Sequence, residues 1–262
     1  MDTEDVLDLL REVADTLVTP RFRALEAEQV QEKAPGDLVT VADREAEAAI
    51  AGRLQATYPH AVILGEEASA LDPGVASAYA AAEHAFTIDP VDGTRNFVHG
   101  SPDHALMVAE LRSGQCVRSW IHQPQHQRSC VAERGAGVFS DGQRMVRSPV
   151  SPDPQRVRAV TARRGWLGRM LGDLGPLELT WACCGVDYPH LIDGDADVVL
   201  YSGTHPWDHA PGTLMVTEAG GHVGTFDGSA YDPRRSNGGL VVAGDRSTYD
   251  RVLSVLGSLP SR

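Results

Sequence analysis

The chain is short of positive charge. Its 23 Lys and Arg face 36 Asp and Glu, a formal net charge of −13. Binding to a nucleic-acid backbone or an anionic membrane surface needs a basic face, so neither is expected as a partner. Any phosphorylated ligand would need its positive charge supplied locally, and a bound metal is an economical source. Cysteine is scarce as well. There are four, two of them adjacent (Cys183, Cys184), with neither the number of a disulfide framework nor the spacing of a zinc knuckle. Reduced thiols in a cytoplasmic protein are the expectation. Met1 to Asp8 is acidic and carries no basic segment followed by an apolar run, so no secretory signal is expected. No run approaches the roughly 20 apolar residues of a membrane span.

What is present is globular. A 262-residue chain with 42% hydrophobic residues can bury a large core, as one domain or two lobes. Val6, Leu9, Leu10, Val13 and Leu17 recur at helical spacing and open the chain with an amphipathic helix. After Ala34–Asp37 a second helix carries Ala46, Ile50 and Leu54 on one face and stops at Tyr58-Pro59. Val62-Ile63-Leu64 reads as a short buried strand, and 68–84, broken at Asp72-Pro73-Gly74, as a loop or short helix. Ala105–Arg112, Val117–His122, Arg128–Glu133 and Arg144–Arg147 read as an antiparallel meander packed on the early helices, with Asp141-Gly142 as a hairpin turn. Ser148 to Pro154 holds three prolines and marks a boundary. Residues 1–148 would form helices plus an antiparallel sheet, and 149–262 an α/β lobe. In that lobe Val157–Thr161, Leu177–Thr180, Asp197–Leu200, Val223–Phe226 and Leu240–Ala243 are expected strands. Leu167–Leu174, Tyr188–Ile192, Pro211–Ala219 and Tyr249–Leu256 are expected helices.

The chemistry centres on Ile88 to Phe97. An apolar run ends in Asp89, Pro90 turns the backbone, and Asp92 follows before Gly93. Two carboxylates at one turn suit Mg²⁺, which takes oxygen ligands and usually only one or two carboxylates. Gly93 and Thr94 would open a helical turn whose N–H groups favour an anion. A surface turn is the plain alternative. An aspartyl-phosphate phosphatase is excluded, because the position of its nucleophile holds Pro90. Asp43 starts a helix and reads as an N-cap. Glu66 and Glu67 follow a strand end, either solvated or placed like Asp89. Asp208 precedes a helix, again where a cap is expected. His205 and His209 stand four apart, but Pro206 argues against a shared helix, and both read as structural rather than as zinc ligands.

Four segments together resemble the signatures of the inositol monophosphatase family, the magnesium-dependent, lithium-sensitive phosphatases. They are Asp37 to Asp43, Gly65-Glu66-Glu67, Asp89 to Phe97 and Trp207 to Gly212, followed by Thr217 to Gly221. The resemblance implies an α/β, layered α+β sandwich, the sugar-phosphatase fold with alternating helix and sheet layers (αβαβα), as a homodimer. It implies two to three Mg²⁺ held by Glu66, Asp89, Asp92, Asp208 and the Val91 carbonyl, with Glu67 supporting a third position. By the same resemblance Asp43 and Thr94 orient an attacking water and Glu66 takes its proton. Four acids drawn together repel by roughly 4 kcal/mol per close pair, so they must protonate or bind cations. The implied reaction is in-line attack by metal-activated water on a small sugar or polyol phosphate, with no phosphoenzyme.

Substrate contacts are expected from Gly93, Thr94, Cys184, Asp187, Tyr201 and Asp208. Tyr201 stands where well-known members of the family carry an acid that contacts sugar hydroxyls, which weakens the inositol assignment. An inositol-1-phosphate-like substrate stays first. Histidinol phosphate is the alternative, with Asp187 as a counter-charge. A 3′(2′),5′-bisphosphate nucleotide or fructose 1,6-bisphosphate ranks lower. A reading of another class is a catalytically silent, metal-binding regulatory dimer.

Overall fold

A computed structural model describes residues 1–259 except Pro73, Ser236 and Asn237. Pro73, within the expected break at 72–74, and 260–262, within the expected second lobe, lie outside the described residues. The architecture is five layers, α/β/α/β/α.

The first layer is α1 (Thr3–Val13) and α2 (Val41–Thr57), bridged by a two-stranded hairpin of β1 (Val30–Ala34) and β2 (Asp37–Thr40). The second is a seven-stranded sheet of β3 (Val62–Gly65), β4 (His84–Asp92), β5 (Ala105–Arg112), β6 (Gln115–Gln123), β7 (Arg128–Glu133), β8 (Gly137–Ser140) and β9 (Gln143–Met145), in sequential order. Only the β3–β4 pair is parallel. Side chains alternate faces along a strand. Phe86, Ile88, Leu106 and Val108 therefore pack on α1 and α2, while Ala105, Met107 and Ala109 face the other way.

Short helices α3 (Glu66–Leu71), α4 (Gly74–Ala81) and α5 (Thr94–Val98) lie between strands of the large sheet. Its second face meets α6 (Cys184–Asp193) and α7 (Pro206–Glu218), the third layer. The fourth layer is a sheet ordered β11 (Glu178–Leu179), β10 (Ala159–Thr161), β12 (Val198–Tyr201), β14 (Leu240–Ala243), β13 (His222–Thr225). Val199 and Val242 join α6 and α7, whereas Val198, Leu200, Val241 and Ala243 face α8 (Arg246–Val255), the fifth layer.

Several local expectations are corrected. Leu167–Leu174 is not a helix, because Gly168 and Gly172 take φ +74° and +64° in a chain of turns. The strand expected at 144–147 is shorter and starts one residue earlier, as β9, and it pairs with an unforeseen strand, β8, across the expected turn at Asp141-Gly142, where both φ are positive. Helix α7 begins at Pro206 rather than 211. Proline is tolerated there because a first-turn residue has no intrahelical acceptor for its N–H.

Candidate active site

Strand β4 does not stop at Asp89, as expected, but runs on to Asp92. Asp89 pairs with Met107 and Asp92 with Ala105, so three steps along β4 match two along β5. This is a bulge of one extra residue. In a regular strand, positions three apart point to opposite faces. The bulge cancels that offset, and both carboxylates emerge on the face of Ala105 and Met107, toward α7.

There they meet Asp208 in the first turn of α7. One carboxylate oxygen from each of Asp89, Asp92 and Asp208 lies within 4.8 Å of the others. Asp208 is not the N-cap expected from the sequence. His205 occupies that position, and the carboxyl of Asp208 faces Asp89. Burial, then repulsion from Glu66, Asp92 and Asp208, pushes the pKa of Asp89 well up. Asp208 is raised by burial first, then by Asp92 and Glu66. Asp92 is raised by burial, opposed by the Cys183 thiol and the Gly185 amide, which donate to its Oδ2 at 2.9 and 2.5 Å.

Asp43 is not the helix cap that the sequence suggests but the third residue of the first turn. Thr40, not Asp43, is the N-cap of α2. Asp43 Oδ2 accepts from the Thr40 amide at 2.8 Å, which closes a capping box. Its Oδ1 lies 3.0 Å from Thr94 Oγ1, which is also 3.0 Å from the Val91 carbonyl. Burial above all raises Asp43 to about 6, against the hydrogen bonds from Thr40 and Thr94. Gly93 opens α5 at φ +79° with no side-chain cap over the first turn. A Cβ there would meet the Asp103 carbonyl at 2.9 Å.

Glu66 and Glu67 open α3. Both carboxylates converge on Lys33 of β1, whose Nζ lies 2.8 Å from an oxygen of each. Burial lowers the pKa of this ammonium, but attraction to Glu66 and Glu67 outweighs it and the net shift is upward. Glu66 is raised to about 7, by burial first, with Lys33 opposing. Lys33 is not legible as a site residue in the sequence, since only the hairpin brings it across. Sequence reasoning also misses Cys183 beside Cys184, and Glu47, whose one signal is its i+4 spacing from Asp43.

The expected substrate residues are placed unequally. Cys184 is partly exposed, with its Sγ within 4.8 Å of Asp208 and His209 atoms. Asp187 and Tyr201 are buried and closed on each other. The Tyr201 hydroxyl donates to Asp187 Oδ2 at 3.3 Å, and the Trp181 amide donates to Oδ1 at 2.9 Å. His209 is buried against the Tyr188 hydroxyl at 3.0 Å, and burial lowers it to about 3. His205 is exposed and stacks on Trp207 at 5.0 Å, so the two histidines share no site.

The donor set fits a hard divalent cation. It is all carboxylate and carbonyl oxygen, and Asp89 Oδ1 is buried with no hydrogen-bond partner among the described residues. Clustered acids that must otherwise stay protonated, at the centre of five alternating layers, are the architecture of a phosphatase. The chain belongs to the inositol monophosphatase family, whose model matches residues 3–260. It is 33% identical over 242 residues to an inositol-1-monophosphatase of Mesorhizobium japonicum, covering 87% of this chain and 86% of that one. Nus factor SuhB of Pseudomonas aeruginosa is 28% identical over 267 residues, covering 93% and 91%. A solved Thermotoga maritima IMPase superposes with a TM-score of 0.82 at 26% identity, covering 98% of both chains.

Proposed function

We propose that the protein is a magnesium-dependent phosphomonoesterase acting on a small polyol or sugar phosphate, inositol 1-phosphate-like in first place. The observation that carries this reading is the convergence of Asp89, Asp92 and Asp208 beside the Thr94–Asp43 pair. Glu66, Asp89, Asp92, Asp208 and the Val91 carbonyl would hold two to three Mg²⁺, with Glu67 supporting the last. When bound, the cations neutralise phosphoryl oxygens and make a water more acidic.

The chain's own residues do the rest. The single Thr94 proton serves one acceptor at a time, and ionised Asp43 is a stronger acceptor than a neutral carbonyl. With its proton committed to Asp43 Oδ1, Thr94 Oγ1 accepts from a water and fixes where its oxygen points. That oxygen bonds phosphorus as the ester P–O bond breaks. The water proton passes to the Glu66 carboxylate, and the departing alkoxide takes a proton from solvent to leave as the alcohol. Backbone N–H groups at Gly93 and Thr94 seat the phosphate. Cys184 lines the leaving-group side. Asp187 and Tyr201 reach a substrate only by opening their mutual hydrogen bond, so a cationic leaving group such as histidinol would draw Asp187 out.

Within this reading the protein works in the cytoplasm as a homodimer. Among the described residues no helix is long and apolar enough to cross a membrane. A regulatory, catalytically silent reading is favoured by the Nus factor name that relatives such as the Pseudomonas protein carry. It leaves the Asp43–Thr94 pair without a task. The test is phosphate release with Mg²⁺ over inositol 1-phosphate, histidinol phosphate, fructose 1,6-bisphosphate and 3′-phosphoadenosine 5′-phosphate. Asp92→Asn should fall more than about a hundredfold, beyond what loss of a mere supporting contact costs. Equal release by the two proteins ends the enzyme reading.

A further inference from the structure

Glu47 sits one turn beyond Asp43 on α2, so both acids leave the same helix face. It is 6% exposed and is not part of the carboxylate cluster. Its Oε2 accepts from the Glu67 amide at 2.8 Å and its Oε1 from the Ala68 amide at 2.8 Å. These are first-turn amides of α3, which opens at Gly65 without a side-chain cap of its own. A buried carboxylate in a second helix thus performs the capping that Gly65 cannot. The missing Cβ is a condition of it, because a Cβ added at Gly65 would overlap the Glu47 carboxylate.

We propose that Glu47 is a positioning residue for the cation site, fixing through the Glu67 and Ala68 amides the direction in which Glu66 and Glu67 present their carboxylates. The proposal rests on the reading that those two acids hold Mg²⁺. The bonds are charge-assisted and doubled, which makes them directional as well as strong. A freely frayed first turn would let two adjacent glutamates swing to solvent. With its amides pinned, both side chains instead converge on one point, now taken by the Lys33 ammonium. Helix α2 therefore ties two parts of the site together, holding Thr94 by one acid and α3 by the other four residues on.

The test is calorimetric titration of the full-length protein with MgCl₂ for wild type, Glu47→Gln and Gly65→Ala. In Glu47→Gln the shape is kept, but the side-chain amide turns an N–H toward one of the backbone amides. In Gly65→Ala the added methyl expels the Glu47 carboxylate. Each variant should bind Mg²⁺ about tenfold more weakly, the cost of losing an outer-shell partner. At saturating Mg²⁺ the KM for the phosphate ester should stay within about twofold, since substrate contacts are untouched. Melting in EDTA accompanies both. Unchanged Mg²⁺ affinity in Glu47→Gln, whether or not its melting point falls, overturns the positioning role. A wild type that takes up no Mg²⁺ overturns the cation-site reading, and this proposal with it.

Discussion

Stripped of divalent cations, the carboxylate cluster should draw stability from the protein as the pH rises from about 6.5 to about 8, the reverse of ordinary acids recovering from low pH. The cause is the carboxylate cluster. Burial and mutual repulsion hold Asp89 and Asp208 well above the usual range and bring Glu66 to about 7 and Asp43 to about 6. In this window the folded chain retains protons that the unfolded chain has released, so each raised pH step favours unfolding. An acid protonated only in the folded state contributes about 1.4 kcal/mol per pH unit. Glu66, half-titrated near the middle of the window, contributes about 0.8 kcal/mol across it, and Asp89 and Asp208, held well up by burial and by their acidic neighbours, act in the same sense. The Glu66 share alone is worth about 2–3 °C in melting midpoint for a chain of this size. His104 and His209, lowered by burial to about 4 and 3, act in the opposite sense by about 0.4 kcal/mol each, because an unfolded imidazole is still half-protonated at about pH 6.5. His84, His122, His205 and His222, lowered first by burial, act the same way, so the cluster's share is read as the difference between slopes with and without Mg²⁺. The assay is thermal melting in EDTA at the two pH values, repeated with excess Mg²⁺. The cation should make the slope more positive, since it replaces the retained protons. A slope that Mg²⁺ leaves unchanged would refute the reasoning.

On the proposed reading, in which its hydroxyl orients the attacking water rather than the ester, Thr94→Ala should lower kcat by about 10²-fold with little change in KM. Steady-state phosphate release checks it, and a change confined to KM would contradict the role. Gly212→Ala on α7 should destabilise by about 1–3 kcal/mol in urea despite the better helix propensity of alanine. Its Cβ would overlap the fully buried Tyr188 ring, which has no room to move. The native thiols should react slowly with iodoacetamide at neutral pH and rapidly in urea. Burial raises Cys116 to about 12, and Cys183 and Cys184 are raised well above the usual thiol range by burial first, then by Asp92.

The strands and helices are legible in the sequence where apolar runs and helical spacing are clean. The stretches 84–92 and 105–112 are almost wholly buried because the sheet is covered on both faces, and Ala46, Ile50 and Leu54 mark the buried stripe of α2. Leu167–Leu174 misleads because its leucines mimic a helical period while two glycines turn the backbone left-handed. At the site, the Asp89–Asp92 spacing suggests convergence at a strand end, whereas the actual device is a bulge inside the strand. A bulge has no local signature here, since it is defined by the register of the partner strand. Asp208 reads as a cap on local grounds and carries chemistry only by resemblance. Lys33 and Glu47 act across gaps in sequence that only the folded hairpin and helix packing close.

The acids that meet at the bulge and at the start of α7 come from opposite halves of the chain. On the proposed reading, no cation meets its full set of ligands until most of the polypeptide has been synthesised and its third layer has docked on the large sheet. Loading with metal reports completed tertiary assembly, so a ribosome-stalled fragment ending ahead of α7 would display a partial set of acids with nothing to close it. On that reading, ion capture at the complete site is one of the last events of maturation.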